Sequence, residues 1–145
     1  MSLKKILKND KILVVLFVLA FFLTRLPGLG TDVINPDGVN WHYRSQQFIV
    51  GLKQLDLAKT YQHYHPGVTL MWITGVPIEF VKQVFPQHQH YDSQNFILFH
   101  TVVKFTLVFV QLGLSLLTLF LMNKILRSRF KRSLLVSTAI VSLFS

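Results

Sequence analysis

Two apolar blocks set the terms for this chain. Residues 11–30 (KILVVLFVLAFFLTRLPGLG) and 96–122 (FILFHTVVKFTLVFVQLGLSLLTLFLM) are nearly unbroken Leu, Val, Phe and Ile. At 1.5 Å of rise per residue, about 20 helical residues cross a hydrocarbon core of about 30 Å. Both blocks are therefore expected to be membrane-spanning helices. A sequence that is 51% hydrophobic and only 14% charged fits that reading better than it fits a soluble domain.

The charges point the same way. Fifteen Lys and Arg stand against six Asp and Glu, a formal net charge of +9. Gathered on one soluble face, that excess would suggest nucleic acid. Here the basic residues flank the apolar blocks, as topology signals do, and no nucleic-acid partner is expected. Lys4, Lys5, Lys8 and Lys11 precede the first block, which raises the question of a signal peptide. No small-x-small cleavage site follows, however, and Arg25-Leu-Pro-Gly comes instead, so an uncleaved span with a cytoplasmic N-terminus is expected. Arg25 lies near the far end of the block, where it can snorkel to the interface. The absence of Cys rules out disulfides and thiol chemistry.

A third apolar run, residues 68–85, has the length of a span but holds Gly75, Pro77, Glu79 and Lys82. A charge at a helix centre costs about 2.5–3.5 kcal/mol on insertion scales, and an i,i+3 Glu–Lys contact returns only about 0.2–0.5. The loop after the second block carries Lys124, Arg127, Arg129, Lys131 and Arg132 without an acid, so it too is expected in the cytoplasm. An even number of spans must then separate it from the N-terminus. Residues 11–30 and 96–122 supply two, and residues 68–85 are expected to lie at the interface without crossing. Residues 31–95 become one external loop. The segment from about residue 133 covers about 20 Å as a helix, too short to cross. It reads as a truncated span, and the chain as the N-terminal part of a longer protein. The fold class expected is all-α, a polytopic membrane protein with amphipathic interfacial helices in its first external loop.

Within that loop, Pro36 disfavours helix at residue 35 and Asp37 suits an N-cap for a helix over residues 38–52. Trp41, Ser45, Phe48, Ile49 and Leu52 fall near one line of it, as in a helix lying on a membrane surface. A second short helical piece is expected over residues 55–61. Asp37 read singly is a plain cap; placed just outside a span, it can also take a proton from an acceptor hydroxyl. His65-Pro66-Gly67 read singly is a loop-to-helix boundary; His65 at an interfacial helix N-terminus can also hold a phosphate. Arg44 and Lys104 are a solvated or snorkelling pair of cations on one reading and contacts for an anionic headgroup on the other. His42, His63, His65, His88, His90 and His100 fall in or beside the loop, with two H-x-H spacings that leave a divalent metal as an option; no cofactor is otherwise expected. No P-loop, G-x-G-x-x-G or G-x-S-x-G pattern occurs.

Taken together, D-x-x-x-W-x-x-R-S from Asp37 and T-Y-x-x-Y-H-P-G-V-T-x-M-W from Thr60 resemble the N-terminal part of the polyprenyl-phosphate-sugar-dependent glycosyltransferases of the C superfamily. The branch resembled is that of the protein O-mannosyltransferases and the aminoarabinose transferase. The resemblance implies a sugar moved from a polyprenyl-phosphate donor in the bilayer to a hydroxyl of a protein, lipid or glycan acceptor on the external face. It makes Asp37 the catalytic base, with Arg44, His65 and Lys104 on the lipid phosphate and Trp41 setting the loop against lipid or substrate. The family carries an Asp-Glu pair where this chain has Asp37-Gly38, and a His-Pro-Pro motif where it has His65-Pro66-Gly67. In the family the segment after that motif lies on the membrane without crossing, the topology the charges give independently. On this reading the chain alone is inactive, because the helices that close the donor cavity lie beyond it. The competing reading is a non-catalytic membrane scaffold or transporter subunit.

Overall fold

The computed structural model describes residues 10–31, 36–62, 67–88, 95–125 and 131–144. Among them every regular element is helical. These are α1 (Asp10–Arg25), α2 (Pro36–Lys53), α3 (Leu57–Thr60), α4 (Val68–Val84), a 3-10 turn (Pro86–His88), α5 (Phe96–Ile125) and α6 (Lys131–Phe144). The chain divides into two compact units, one of residues 28–107 and one of residues 1–27 with 108–145.

In the second of these units, α1 stops at Arg25, five residues before the boundary expected from hydropathy. Pro27 disfavours helical backbone at Leu26, and Gly28 and Gly30 take φ of 72° and 84°, left-handed values that suit glycine. Thr31 N–H closes the turn on the Gly28 carbonyl at 3.0 Å. Sixteen described helical residues give α1 about 24 Å of length, less than the expected span. By contrast α5 runs for 30 residues and is the one helix among the described residues long and apolar enough to cross a membrane. The apolar part of α6, Leu134–Leu143, is shorter.

Arg25 is bonded to both neighbouring helices of its unit. Its guanidinium lies 4.1 Å from the Phe21 ring centroid. Its Nε donates to Gln111 Oε1 at 3.0 Å, and its terminal nitrogens donate to the Leu143 and Ser142 carbonyls, each at 2.9 Å. Those carbonyls belong to the last turn of α6, where a helix has no acceptor-satisfying amides of its own. One cation thus serves as a C-terminal cap and draws α1, α5 and α6 together by polar bonds.

The unit of residues 28–107 is built around α4. One face of α4 packs Met71 against Phe48 and Ile49 of α2, with Trp41 and Leu52 at the edge. Another packs Ile78 and Val81 against Phe99 and Val103 of α5. The apolar line of α2 read from the sequence is therefore covered by protein. At its crossing with α4, Gly75 is needed for close approach: a Cβ there would lie 2.7 Å from the Ser45 carbonyl oxygen and from Ile49 Cγ1. Beside it the Ser45 and Thr74 hydroxyls are 2.6 Å apart, one donating to the other. Pro77 sits inside α4 without ending it.

The start of α2 differs from expectation. Pro36 is its first residue, so Asp37 lies in the first turn and is not the N-cap. Proline fits there because its missing N–H would have had no partner within the helix. The far end closes with Asp56 N–H on the Gly51 carbonyl (2.9 Å) and Leu55 N–H on the Leu52 carbonyl (3.1 Å). That pair of bonds is a Schellman closure, with Leu55 at φ 55° in the position glycine usually takes. The short helix expected over residues 55–61 is trimmed to α3, capped by Asp56 accepting from Lys59 N–H.

Candidate functional site

The first turns of α2 and the start of α4 meet through one ring. Gly67, the residue that caps α4, packs under the Trp41 indole so closely that a Cβ on it would sit 2.1 Å from Cη2. The Arg44 guanidinium lies 5.3 Å from the same ring, a cation–π contact one turn further along α2. Asp37 is exposed one turn before Trp41 on the same helix. A carboxylate in a first turn is favoured by the positive end of the helix dipole. Gly38 has open space where a side chain would be.

Trp41 and Arg44 are thus brought into contact, and Asp37 shares their end of α2. Lys104 is placed elsewhere, on α5, where its charge acts on His42. His65, with His63, Pro66 and His90, lies outside the described residues. Through Gly67, one residue of the second sequence pattern lies against Trp41 of the first.

The sequence did not single out the polar pair beneath this end of the site. His42 Nε2 and His100 Nδ1 are 3.0 Å apart, both residues being buried. Phe96 stacks on His100 at 5.6 Å and meets His42 edge-on at 5.8 Å. Burial, with smaller contributions from His100 and Lys104, lowers the His42 pKa from 6.5 to about 4, so the ring is neutral at pH 7. The only available signal was that His42 follows Trp41 directly; nothing local links it to residue 100.

One turn along α2, Gln46 Oε1 accepts from Lys82 Nζ of α4. Burial is the main cause of a lowered Lys82 pKa, partly opposed by Glu79. Glu79 itself pairs with Lys53. Among the described residues no group of three or more His, Asp, Glu or Cys is placed to hold a metal ion. His88 of the H-x-H pair at residues 88–90 instead bonds Asn95 Oδ1.

What the site offers chemically is an exposed carboxylate on a rigid helix end, a permanent cation stacked on an aromatic platform, and a close-packed glycine beside them. No protein-family model, curated protein or solved structure matches the chain.

Proposed function

We propose that this chain works in a membrane glycosyltransferase that moves a sugar from a polyprenyl-phosphate donor to an acceptor hydroxyl on the external face. The observation that carries the reading is the Trp41–Gly67 contact. It brings a residue of D-x-x-x-W-x-x-R-S onto a residue of T-Y-x-x-Y-H-P-G-V-T-x-M-W, the two lying 26 positions apart in the chain. In this reaction Asp37 accepts the proton of the attacking hydroxyl. The hydroxyl oxygen forms the new bond to the anomeric carbon while the bond to the lipid phosphate breaks, and Arg44 takes up the phosphate charge, a role the resemblance also gives to His65 and Lys104. Trp41 supplies the flat wall on which Arg44 is oriented.

The membrane setting is part of the same proposal. α5 has the length and apolarity to cross, and Val68, Trp72, Val76, Phe80 and Val84 form an exposed ridge at four-residue spacing along α4. We place α1 and α5 across the bilayer, the N-terminus in the cytoplasm and residues 31–95 outside, with that ridge against lipid. Reporters fused at Gln89 and at Ser128 then fall on opposite sides; finding both on one side overturns the topology.

The chemistry is tested by Asp37→Asn in membranes from cells expressing the complete gene product, with labelled polyprenyl-phosphate mannose or aminoarabinose as donor. Loss of a general base reduces turnover by about 10²–10⁴-fold while donor binding persists. Turnover retained in Asp37→Asn removes Asp37 from the mechanism and favours the non-catalytic scaffold.

A further inference from the structure

A buried polar contact between α2 and α5 is made of two titratable rings. His42 is 4% exposed and His100 6%, and their ring planes meet at 76° with Nε2 facing Nδ1. At 3.0 Å such a contact requires one N–H and one lone pair. A neutral pair satisfies it, and so does a pair with one added proton. Two imidazoliums do not, because both facing nitrogens then carry hydrogen and both rings carry charge. The packing around the rings leaves little freedom to turn away, since Phe96 is stacked on His100 and edge-on to His42.

The charged surroundings sharpen this. The groups acting on His42 are His100 and, one turn beyond it on α5, Lys104, both basic. From α4 the nearest cation along α2 is Lys82, which donates to Gln46 one turn from His42 and lies 5.7 Å from the Phe99 ring centroid. Glu79, the acid of α4, is paired with Lys53 at the other end of α2. On α2 itself Arg44 lies over Trp41, and Asp37 is in the exposed first turn.

We infer that the His42–His100 pair is a proton-operated latch, fastening α2 to the first turns of α5 at neutral pH and releasing it on acidification. The direction follows from linkage. A histidine held neutral by its site, with its pKa lowered to about 4 from 6.5, adds stability that is complete above pH 6.5 and is lost as pH falls toward 4. α2 carries Trp41 and Arg44, so opening the latch frees the candidate site from its support on α5. The latch stands apart from the catalytic reading and holds whatever α2 presents.

The chain has two tryptophans, so Trp72→Phe leaves Trp41, the neighbour of His42, as a single reporter. With this variant of the chain in lipid nanodiscs, iodide quenching of Trp41 is followed from pH 7.5 to pH 4. The expected result is a reversible, several-fold rise in quenching with a midpoint between pH 6.5 and pH 4. Adding His42→Gln and His100→Gln, which keep neutral hydrogen-bonding groups, is expected to abolish the rise. Quenching that is flat in the parent, or that rises with the same midpoint in the double substitution, overturns the latch. Should the double substitution leave Trp41 quenched at every pH, the decision passes to imidazole NMR of the unsubstituted protein. Imidazoles titrating well below 6.5 with mutual coupling support the latch; all six histidines titrating independently near 6.5 overturn it.

Discussion

The unit of residues 28–107 and the unit of residues 1–27 with 108–145 bury their side chains in different ways. The first has two closed apolar clusters, a glycine crossing, and buried Ser45, Thr74, His42 and His100 bonded within it. The second leaves Leu16, Leu19, Leu23, Leu117 and Phe120 exposed, and includes an open apolar groove of about 430 Å³ lined by Leu19, Phe22, Leu23, Leu26 and Pro27. Its connections are rings, such as Phe22 on Phe109 at 5.5 Å, and the polar reach of Arg25. Specific packing and paired polar groups hold the first; in the membrane setting proposed above, the open apolar faces of the second meet lipid, where helices associate through packing and polar bonds.

That contrast can be broken by substitution. The largest effect is expected from Gly75→Leu, whose Cβ meets the Ser45 carbonyl oxygen at 2.7 Å. Overpacking at a helix crossing costs about 3 kcal/mol, and thermal unfolding in detergent should show a clear fall in midpoint. Arg25→Met comes next, because it removes the bonds to Gln111, Ser142 and Leu143 while keeping an apolar stem on Phe21. A loss of about 2 kcal/mol is expected, seen as faster amide exchange in the last turn of α6 with residues 41–53 unchanged. Protection lost equally in α2 would mean that the two units do not fold separately. The smallest effect is expected from Gly113→Leu, the same chemical change as at Gly75 but in the other unit. No heavy atom lies within 4 Å of a Cβ there, so the midpoint should hold or rise by about 0.5–1 kcal/mol as a helix glycine is replaced.

Much of the first-order architecture was legible from the residues. The long apolar run beginning at Phe96 is a helix, the line of Ser45, Phe48 and Ile49 is the buried face of α2, and Pro66-Gly67 stands before the helix that begins at Val68. These follow from local rules, periodicity and the backbone limits of proline and glycine, which act within a few residues. What covers the apolar line of α2 was not legible. Hydropathy treats protein and lipid alike, and it took the contact of Gly75 with Ser45 to show that α4 lies there. The position of Asp37 was misjudged by two residues for a similar reason: both Asp at an N-cap and Pro at a first helical position are favourable, and here the helix begins at Pro36. The candidate site divides along the same line. Trp41 and Arg44 were visible as residues one turn apart on a helix, but the meeting of Trp41 with Gly67 joins positions 26 apart in sequence.

The sequence by itself determined the helical class, the long apolar helix and the exposed acid near the start of α2. These depend on composition and on spacings of three or four residues, which one chain carries openly. Only the tertiary structure decided that Arg25 reaches the end of α6, that α4 packs against both α2 and α5, and that His42 meets His100. Each of those is a pairing of residues far apart in the chain, chosen by shape and by the need of buried polar groups for partners, and neither quantity is written in a local pattern.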